Sequence, residues 1–323
     1  MVSVVIPTFN RASFLLNTSI PSVRAQTVSD WELLIVDDGS IDNTKEISER
    51  FCKDDSRIRY FYKENGGQGS ARNFGIEKSR GNLILFLDSD DILLPNFLEI
   101  ICAVQKSGNF DTVSSQRWIV SYENLTILGV EGPSPSSTLY KKKLFNKLGY
   151  FNEARELIGF EDIDLFIRWE KETSKENFKE YIIGKPLVIY GDHSEQVTKE
   201  NLKKKVKSLE FLLMKHLNSQ EKVEGVVYKK VLQLAYYKFV LGEIVASRKI
   251  LFFLFKQSIY VAPSMMFFVT LFKNSIFISF FKVIREISRT FVRKIYFIKT
   301  FLFYYALFIQ AREKIKYLKE TDK

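Results

Sequence analysis

Three segments of this chain carry side chains whose types and spacing suit the binding of an anionic ligand. Asp88-Ser89-Asp90-Asp91 follows directly on the apolar run Leu83-Ile84-Leu85-Phe86-Leu87, so a buried strand delivers several carboxylates to its carboxyl end. Carboxylates this close repel one another and have raised pKa values unless a cation lies between them. A divalent metal bridging a diphosphate meets that requirement; an acidic turn capping a helix at Leu94 is the alternative. A second acidic turn, Asp37-Asp38-Gly39-Ser40, follows Val36. Carboxylates there can accept hydrogen bonds from a base or ribose, as an acidic residue near a strand end does in dinucleotide folds. Turn and helix-cap chemistry, with Asp42 capping the next helix, is the other option. The third segment runs from Asn65-Gly66-Gly67-Gln68-Gly69 to Ser70-Ala71-Arg72-Asn73. Glycines allow close backbone approach, helix amino-terminal N–H groups favour phosphate oxygens, and Arg72 can add a charge-assisted hydrogen bond. No Gly-Lys-Ser/Thr follows, and Arg72 stands where a dinucleotide fingerprint needs its last glycine. A plain glycine-rich turn is the competing explanation.

The two cysteines, Cys52 and Cys102, lack metal-type spacing, and the two histidines, His193 and His216, make no pair for a zinc motif. A disulfide-stapled module and a cysteine zinc site are excluded. Any metal is then held mainly by oxygen, which points to Mg2+ or Mn2+. With 323 residues, 46% of them hydrophobic, the chain is no disordered segment and has room for one large domain with an appendage, or for two domains.

The elements that must position these residues are legible in the first hundred positions. Val2–Ile6, Glu32–Val36, Ile58–Tyr62 and Leu83–Leu87 read as strands; Ala12–Gln26, Asp42–Lys53 and Gln68–Ser79 have helical spacing of apolar residues. This alternation predicts an α/β sheet with parallel strands, whose ligands bind beyond the carboxyl ends. Farther on, a helix is expected over Leu94–Lys106, strands over Thr112–Val120 and Thr126–Val130 as an antiparallel or mixed addition, and a loop over 132–137. A short basic helix is expected over Thr138–Leu148, a helix over Glu161–Glu172, two strands at Tyr181–Ile183 and Leu187–Tyr190, and helices over 200–247.

The net charge of +10 resides in the last part of the chain: residues 1–247 are nearly balanced, and residues 248–323 are strongly basic. That tail is also dense in aromatic residues, as in Phe252-Phe253, Phe267-Phe268 and Tyr304-Tyr305. Basic and aromatic side chains together suit a membrane surface better than a nucleic acid. The longest uncharged stretches, residues 257–272 and 300–311, fall short of the roughly 20 apolar residues of a spanning helix. Helices lying in the interface are expected, with packing on protein as the alternative. The amino terminus has no signal-peptide pattern, so a cytoplasmic protein, peripheral on the cytoplasmic face of the membrane, is expected.

Together, Val4-Val5-Ile6-Pro7-Thr8-Phe9-Asn10-Arg11, Asp37-Asp38-Gly39-Ser40, the 65–75 segment with Ala71-Arg72-Asn73, and the D-x-D motif Asp88-Ser89-Asp90 resemble the family 2 glycosyltransferases over roughly residues 1–195. The resemblance implies a GT-A fold, a Rossmann-like mixed sheet flanked by helices, with a helical, basic-aromatic carboxyl-terminal extension. With the pattern and composition of the rest, the expected division is a catalytic domain (1–199), a helical region packed on it or linking from it (200–247) and a basic, aromatic helical tail at a membrane surface (248–323). The resemblance further implies that Asp38 contacts the uracil or ribose, that Pro7, Thr8 and Asn10 line the same pocket, and that Arg72 lies near the nucleotide or diphosphate. Asp88 supports the ribose and metal shell, and Asp90 ligates the ion. Leu148-Gly149-Tyr150-Phe151-Asn152-Glu153 and Gly159-Phe160-Glu161-Asp162-Ile163-Asp164-Leu165 look like the acceptor-side segment, in which Asp162 takes the place of the catalytic base and Glu161 helps place the acceptor. An acidic helix start stabilised by the dipole is the plainer explanation of that pair. By the same resemblance His193 lies close to the diphosphate or the metal.

The function so implied is metal-dependent, inverting transfer of a sugar from a nucleoside diphosphate, with uridine the first expectation for the base. The acceptor is a hydroxyl of a glycan or lipid-linked saccharide, as in surface polysaccharide assembly; no nucleic-acid partner is expected. A nucleotidyltransferase of related fold is disfavoured by the absence of a glycine-rich activation loop and lysine near the first strand. A non-catalytic membrane-associated scaffold is disfavoured by Asp88, Asp90 and Asp162 occurring together.

Overall fold

The structure, a computed structural model, describes residues 1–121, 125–173, 178–192, 199–217, 225–243, 245–247 and 249–250. The chain divides into two compact units, Met1–Glu195 and Gln196–Lys323. In the first, strand β1 (Val2–Thr8) leads into α1 (Ala12–Phe14), which continues through a π-helical turn at Leu15–Ser19 into α2 (Ile20–Arg24). Pro21 has no N–H to close an ordinary turn, and the helix is wound wider just before it. Then come β2 (Trp31–Asp37), α3 (Thr44–Asp54), β3 (Ile58–Tyr62), α4 (Gln68–Lys78) and β4 (Leu83–Phe86). The second half of the unit contains the two-residue β5 (Ile92–Leu93), α5 (Phe97–Gly108), β6 (Thr112–Ser121), β7 (Thr126–Glu131) and β8 (Thr138–Lys141). It closes with α6 (Lys143–Leu148), α7 (Glu161–Thr173) and β9 (Glu180–Asp192).

All nine strands join one sheet in the order β3-β2-β1-β4-β8-β6-β9-β5, with β7 also paired to β6. The first four are mutually parallel; β8 runs antiparallel to both β4 and β6, making the sheet mixed. The chain winds outward from β1 through β2 to β3 and then returns to place β4 on the other side of β1. That reversal lies between β1 and β4, and the carboxyl ends of strands at such a switch point are where α/β sheets take their ligands. The central strands are buried on both faces. Val4, Ile6, Leu33 and Ile35 pack on one side, and Val5, Leu34 and Val36 on the other, with Ala71 and Ile76 of α4. This two-sided burial explains why the strands read as continuous apolar runs.

Three sequence expectations are corrected. Residues 138–148 do not form one helix: Thr138–Lys141 is a strand filling the place between β4 and β6, and only Lys143–Leu148 is helical. The two short strands expected before Tyr190 are one strand, β9, whose pairing with β6 jumps from Ser115↔Ile183 to Gln116↔Pro186. Gly184 and Lys185 are taken up by that irregularity, which keeps the proline within the sheet. The helix expected from Leu94 starts at Phe97, because Ile92–Leu93 pairs with β9 first.

In the second unit α8 (Lys199–His216) and α9 (Gly225–Val240) are in contact with each other. Leu202 and Val240 are buried in one cluster, and Lys238 of α9 pairs with Glu210 of α8 at 2.7 Å. Among the described residues no helix is long and apolar enough to cross a membrane. The tail after Ile250 lies outside them, as does His193.

Candidate functional site

The loop after β1 and the loop after β2 are stitched together at the sheet's carboxyl edge. Asn10, in the left-handed region at φ +52°, receives the Ile41 N–H on Oδ1 at 2.9 Å, and its own N–H donates to Ser40 Oγ at 2.8 Å. Asparagine tolerates this backbone better than most residues. Pro7 and Thr8 end the buried strand, and the Thr8 hydroxyl is buried with no hydrogen-bond partner among the described residues. The Thr8 carbonyl accepts the Asp38 N–H at 2.9 Å.

Asp38 is buried and organises the glycine segment. Its Oδ1 accepts from Lys63 Nζ at 2.7 Å and from the Gly66 N–H at 3.0 Å, and its Oδ2 accepts the Gly67 N–H at 2.7 Å. Gly67, at φ +87°, is the residue before α4, a backbone state that an L side chain would strain. The acidic turn thus holds the loop from which α4 starts, and the Gly67-to-Gly69 amides sit at that helix's amino terminus.

Helix α4 then links the acidic turn after β4 to the acidic start of α7. Arg72 is 3% exposed; its Nη2 donates to Asp88 Oδ1 and its Nη1 to Glu161 Oε1, both at 2.9 Å. Its guanidinium carbon lies 5.3 Å from the Phe151 ring centre and 6.0 Å from that of Phe86. Burial works to lower the Arg72 pKa, and the charges of Asp88, Glu161 and Asp162 more than reverse this, holding it above its ordinary value. Asp88 also accepts from Gln68 Nε2 at 2.9 Å. Glu161 also receives the Gly159 N–H on its other oxygen at 2.8 Å. Asn73 accepts the Phe151 N–H at 2.9 Å and donates to the Phe151 carbonyl at 2.9 Å and to Glu153 at 2.7 Å. A shallow cleft lies between Gly66–Gly69 on one wall and Asn152, Leu157, Ile158 and Glu161 on the other. Asp162, next to Glu161, is half-buried in the first turn of α7.

Residues 3–161 match the model of the family described as Glycosyl transferase family 2. The amino-terminal part of this chain belongs to that family. Its fold is the GT-A fold, as in two solved glycosyltransferase structures. The mannosyltransferase PcManGT from Pyrobaculum calidifontis, in complex with GDP-Man and Mn2+, aligns at TM-score 0.56 and 13% identity over 97% of this chain and 86% of that one. S. aureus TarS 1-349, in complex with UDP-GlcNAc, aligns at TM-score 0.54 and 19% identity over 82% and 78%. Among curated relatives, the GalNAc(5)-diNAcBac-PP-undecaprenol beta-1,3-glucosyltransferase of Campylobacter jejuni is 32% identical over 47% of this chain and 57% of its own length. Three Rickettsia proteins named as uncharacterized glycosyltransferases reach 43 to 48% identity, but the chain spans only 16 to 18% of their length.

Within this family 2 domain, the D-x-D turn offers hard oxygen donors. Asp88 uses Oδ1 for Gln68 and Arg72, and its Oδ2 accepts no hydrogen bond from the described residues. Asp90 lies 3.9 Å from Arg11 Nη1. Asp91 is fully buried, and neither of its oxygens has a hydrogen-bond partner among the described residues. Burial first, and then the Asp88 charge, push its carboxyl well above the ordinary range. Among the described residues no group of three or more His, Cys, Asp or Glu side chains is arranged to hold a metal by itself. The Asp88 and Asp90 carboxylates are hard oxygen donors, the type a divalent cation such as Mg2+ or Mn2+ takes.

The structure joins Thr8, Asp38, Arg72, Asp88 and Glu161 through direct contacts and the segment 66–72; Asn10 is tied in through Ser40 and Ile41, Asp162 follows Glu161, and Asp90 lies two positions after Asp88. Sequence reading gave no role to Lys63, which pairs with Asp38, to Arg11, which faces Asp90, or to Asn73, which clamps the 151–153 backbone. The signal for Asn73 was present in Ala71-Arg72-Asn73, one position from a residue that was singled out. For Lys63 nothing local distinguished it from the many exposed lysines.

Proposed function

We propose that this chain is a metal-dependent, inverting glycosyltransferase that moves a sugar from a nucleoside diphosphate, most simply a UDP-sugar, to a hydroxyl of a glycan or lipid-linked saccharide. The observation that carries this reading is the buried contact of one arginine with two carboxylates, Asp88 from the end of β4 and Glu161 from the start of α7. In this reading the donor side and the acceptor side meet through one residue of α4. In this reading Pro7, Thr8, Asn10 and Asp38 line the nucleotide pocket. The amides at the start of α4 face the diphosphate, where backbone N–H groups and the helix dipole favour negative charge. Asp90, supported by Asp88, and His193 would hold Mg2+ or Mn2+, which when bound neutralises charge on the departing diphosphate. Asp162 removes the acceptor proton as the oxygen attacks the anomeric carbon opposite the diphosphate, and Glu161 orients that hydroxyl.

The lipid-linked acceptor is supported by the undecaprenol-linked saccharide in the name of the Campylobacter relative and by the basic, aromatic composition of residues 248–323. In this reading residues 1–199 form the catalytic domain, 200–247 a helical region, and the tail rests on the cytoplasmic face of a membrane. The test is a panel of UDP-, TDP- and GDP-hexoses incubated with the full chain and Mn2+, with and without chelator. Release of nucleoside diphosphate that the chelator abolishes is expected; release of pyrophosphate, or activity indifferent to chelator, would refute the assignment.

A further inference from the structure

We infer that Arg72 is a positioning residue that couples the D-x-D turn to the acceptor-side carboxylates, and that it does not itself touch the donor. The inference rests on the glycosyltransferase reading and deepens it. An arginine in a phosphate-binding loop is ordinarily taken as a phosphate ligand, since its fork matches phosphate geometry. Here the fork is already used: one Nη reaches Asp88 and the other Glu161, each at 2.9 Å. The remaining nitrogen, Nε, is buried without a partner among the described residues, and the side chain is only 3% exposed. Phe86 and Phe151 lie close to the guanidinium. To reach a diphosphate the side chain would have to leave both carboxylates and this aromatic enclosure.

The surrounding contacts show what the bridge accomplishes. Gly69, Arg72 and Asn73 lie at i, i+3 and i+4, one face of α4. A Cβ on Gly69 would lie 3.0 Å from the Asn152 carbonyl oxygen, Arg72 bonds Glu161, and Asn73 bonds Phe151 and Glu153. That single face holds the 151–153 backbone and Glu161, and of these three residues Arg72 also reaches the D-x-D turn. It sets the distance between Asp88 and Glu161, and through the chain those of Asp90 and Asp162. A lysine has one nitrogen at the end of a flexible stem and cannot reproduce the two-armed bridge.

The experiment uses the full chain and its R72K, E161Q and R72K/E161Q variants. UDP binding with Mn2+ is measured by calorimetry, and turnover with whichever donor of the panel the parent uses. For R72K we expect UDP affinity within threefold of the parent and kcat lowered about 100-fold, the scale of an ångström-level misplacement. E161Q is expected to retain UDP affinity and lose at least tenfold in kcat. The double variant should be close to the worse single variant, because both remove the same bridge. A tenfold or greater loss of UDP affinity in R72K makes Arg72 a donor ligand and overturns the inference, as does full multiplicativity of the two kcat losses. If R72K fails to fold by its melting curve, E161Q decides: unchanged turnover overturns the coupling. A parent that releases no nucleoside diphosphate from any donor refutes the glycosyltransferase reading instead, and the UDP-affinity comparison still reads whether Arg72 contacts the nucleotide.

Discussion

Gly69→Ala adds one methyl group where α4 meets the acceptor-side loop, and the structure sets the size of its effect. The new Cβ lies 3.0 Å from the Asn152 carbonyl oxygen and 3.4 Å from Glu161 Cβ and Cγ. Carbon contacts are optimal near 3.5 to 4.0 Å, so the loop must retreat by roughly 0.3 to 0.5 Å. If an ångström of misplacement costs about 100-fold in rate, this shift costs about 4- to 10-fold. Stability should move little or in the other direction, because alanine is better than glycine inside a helix by roughly 0.5 to 1 kcal/mol. The assay is steady-state kcat beside a thermal melt: reduced turnover with an unchanged or higher melting temperature is expected. Unchanged turnover would refute the placement of the 152–161 segment at the reacting centre, and a large loss of stability would mean that the contact is a core contact only.

Other outcomes follow from the same geometry. In Gly75→Ala the Cβ would fall 2.2 Å from Val5 Cγ1, inside the core, so melting should show a loss of about 1 to 3 kcal/mol. Asp38→Asn removes the charge facing Lys63 and leaves one glycine amide without its acceptor. A cost of about 1.4 kcal/mol at the loop would weaken UDP–Mn2+ binding about tenfold by calorimetry. At the far end of the sheet, buried Glu32 accepts from Ser3, the Arg80 N–H and Arg59. Burial raises its carboxyl pKa, and these hydrogen bonds with the Arg59 charge outweigh it, so it sits below its ordinary 4.5. The folded form therefore binds the proton more weakly than the unfolded chain. Glu32 contributes its full stability above 4.5 and loses it as pH falls through the lower folded value. Melting curves of the parent and Glu32→Gln should differ at neutral pH and converge in acid.

The parallel half of the fold was legible because strands buried on two faces are mostly apolar, as Leu83–Leu87 is throughout and Val2–Ile6 is but for Ser3, and because each is followed by turn-forming residues. The added half was less so. Thr138–Lys141 is only four residues long and runs into Lys142 and Lys143, and that polar density masks a strand whose burial is decided by its neighbours β4 and β6. Gly184 and Pro186 break the local pattern of β9, yet the sheet absorbs them by shifting register. Asp38, Asp88 and Arg72 stand out by type and position, and Glu161 by the family resemblance. Which of them touch one another was not legible, since the Arg72–Glu161 contact spans 89 positions. Nor did spacing reveal that the Asp38 carboxylate accepts hydrogen bonds from the glycine loop, a consequence of how β2 and β3 lie side by side.

The central claim is that Asp162 takes the proton from an acceptor hydroxyl beside a donor held at the D-x-D turn. Asp162→Asn keeps size and shape and removes the base. Measured on the full chain with the donor that supports turnover, it should bind UDP with Mn2+ within threefold of the parent while kcat falls about 100- to 10,000-fold, the usual worth of a positioned base. Turnover equal to the parent's, with donor binding intact, would contradict the account.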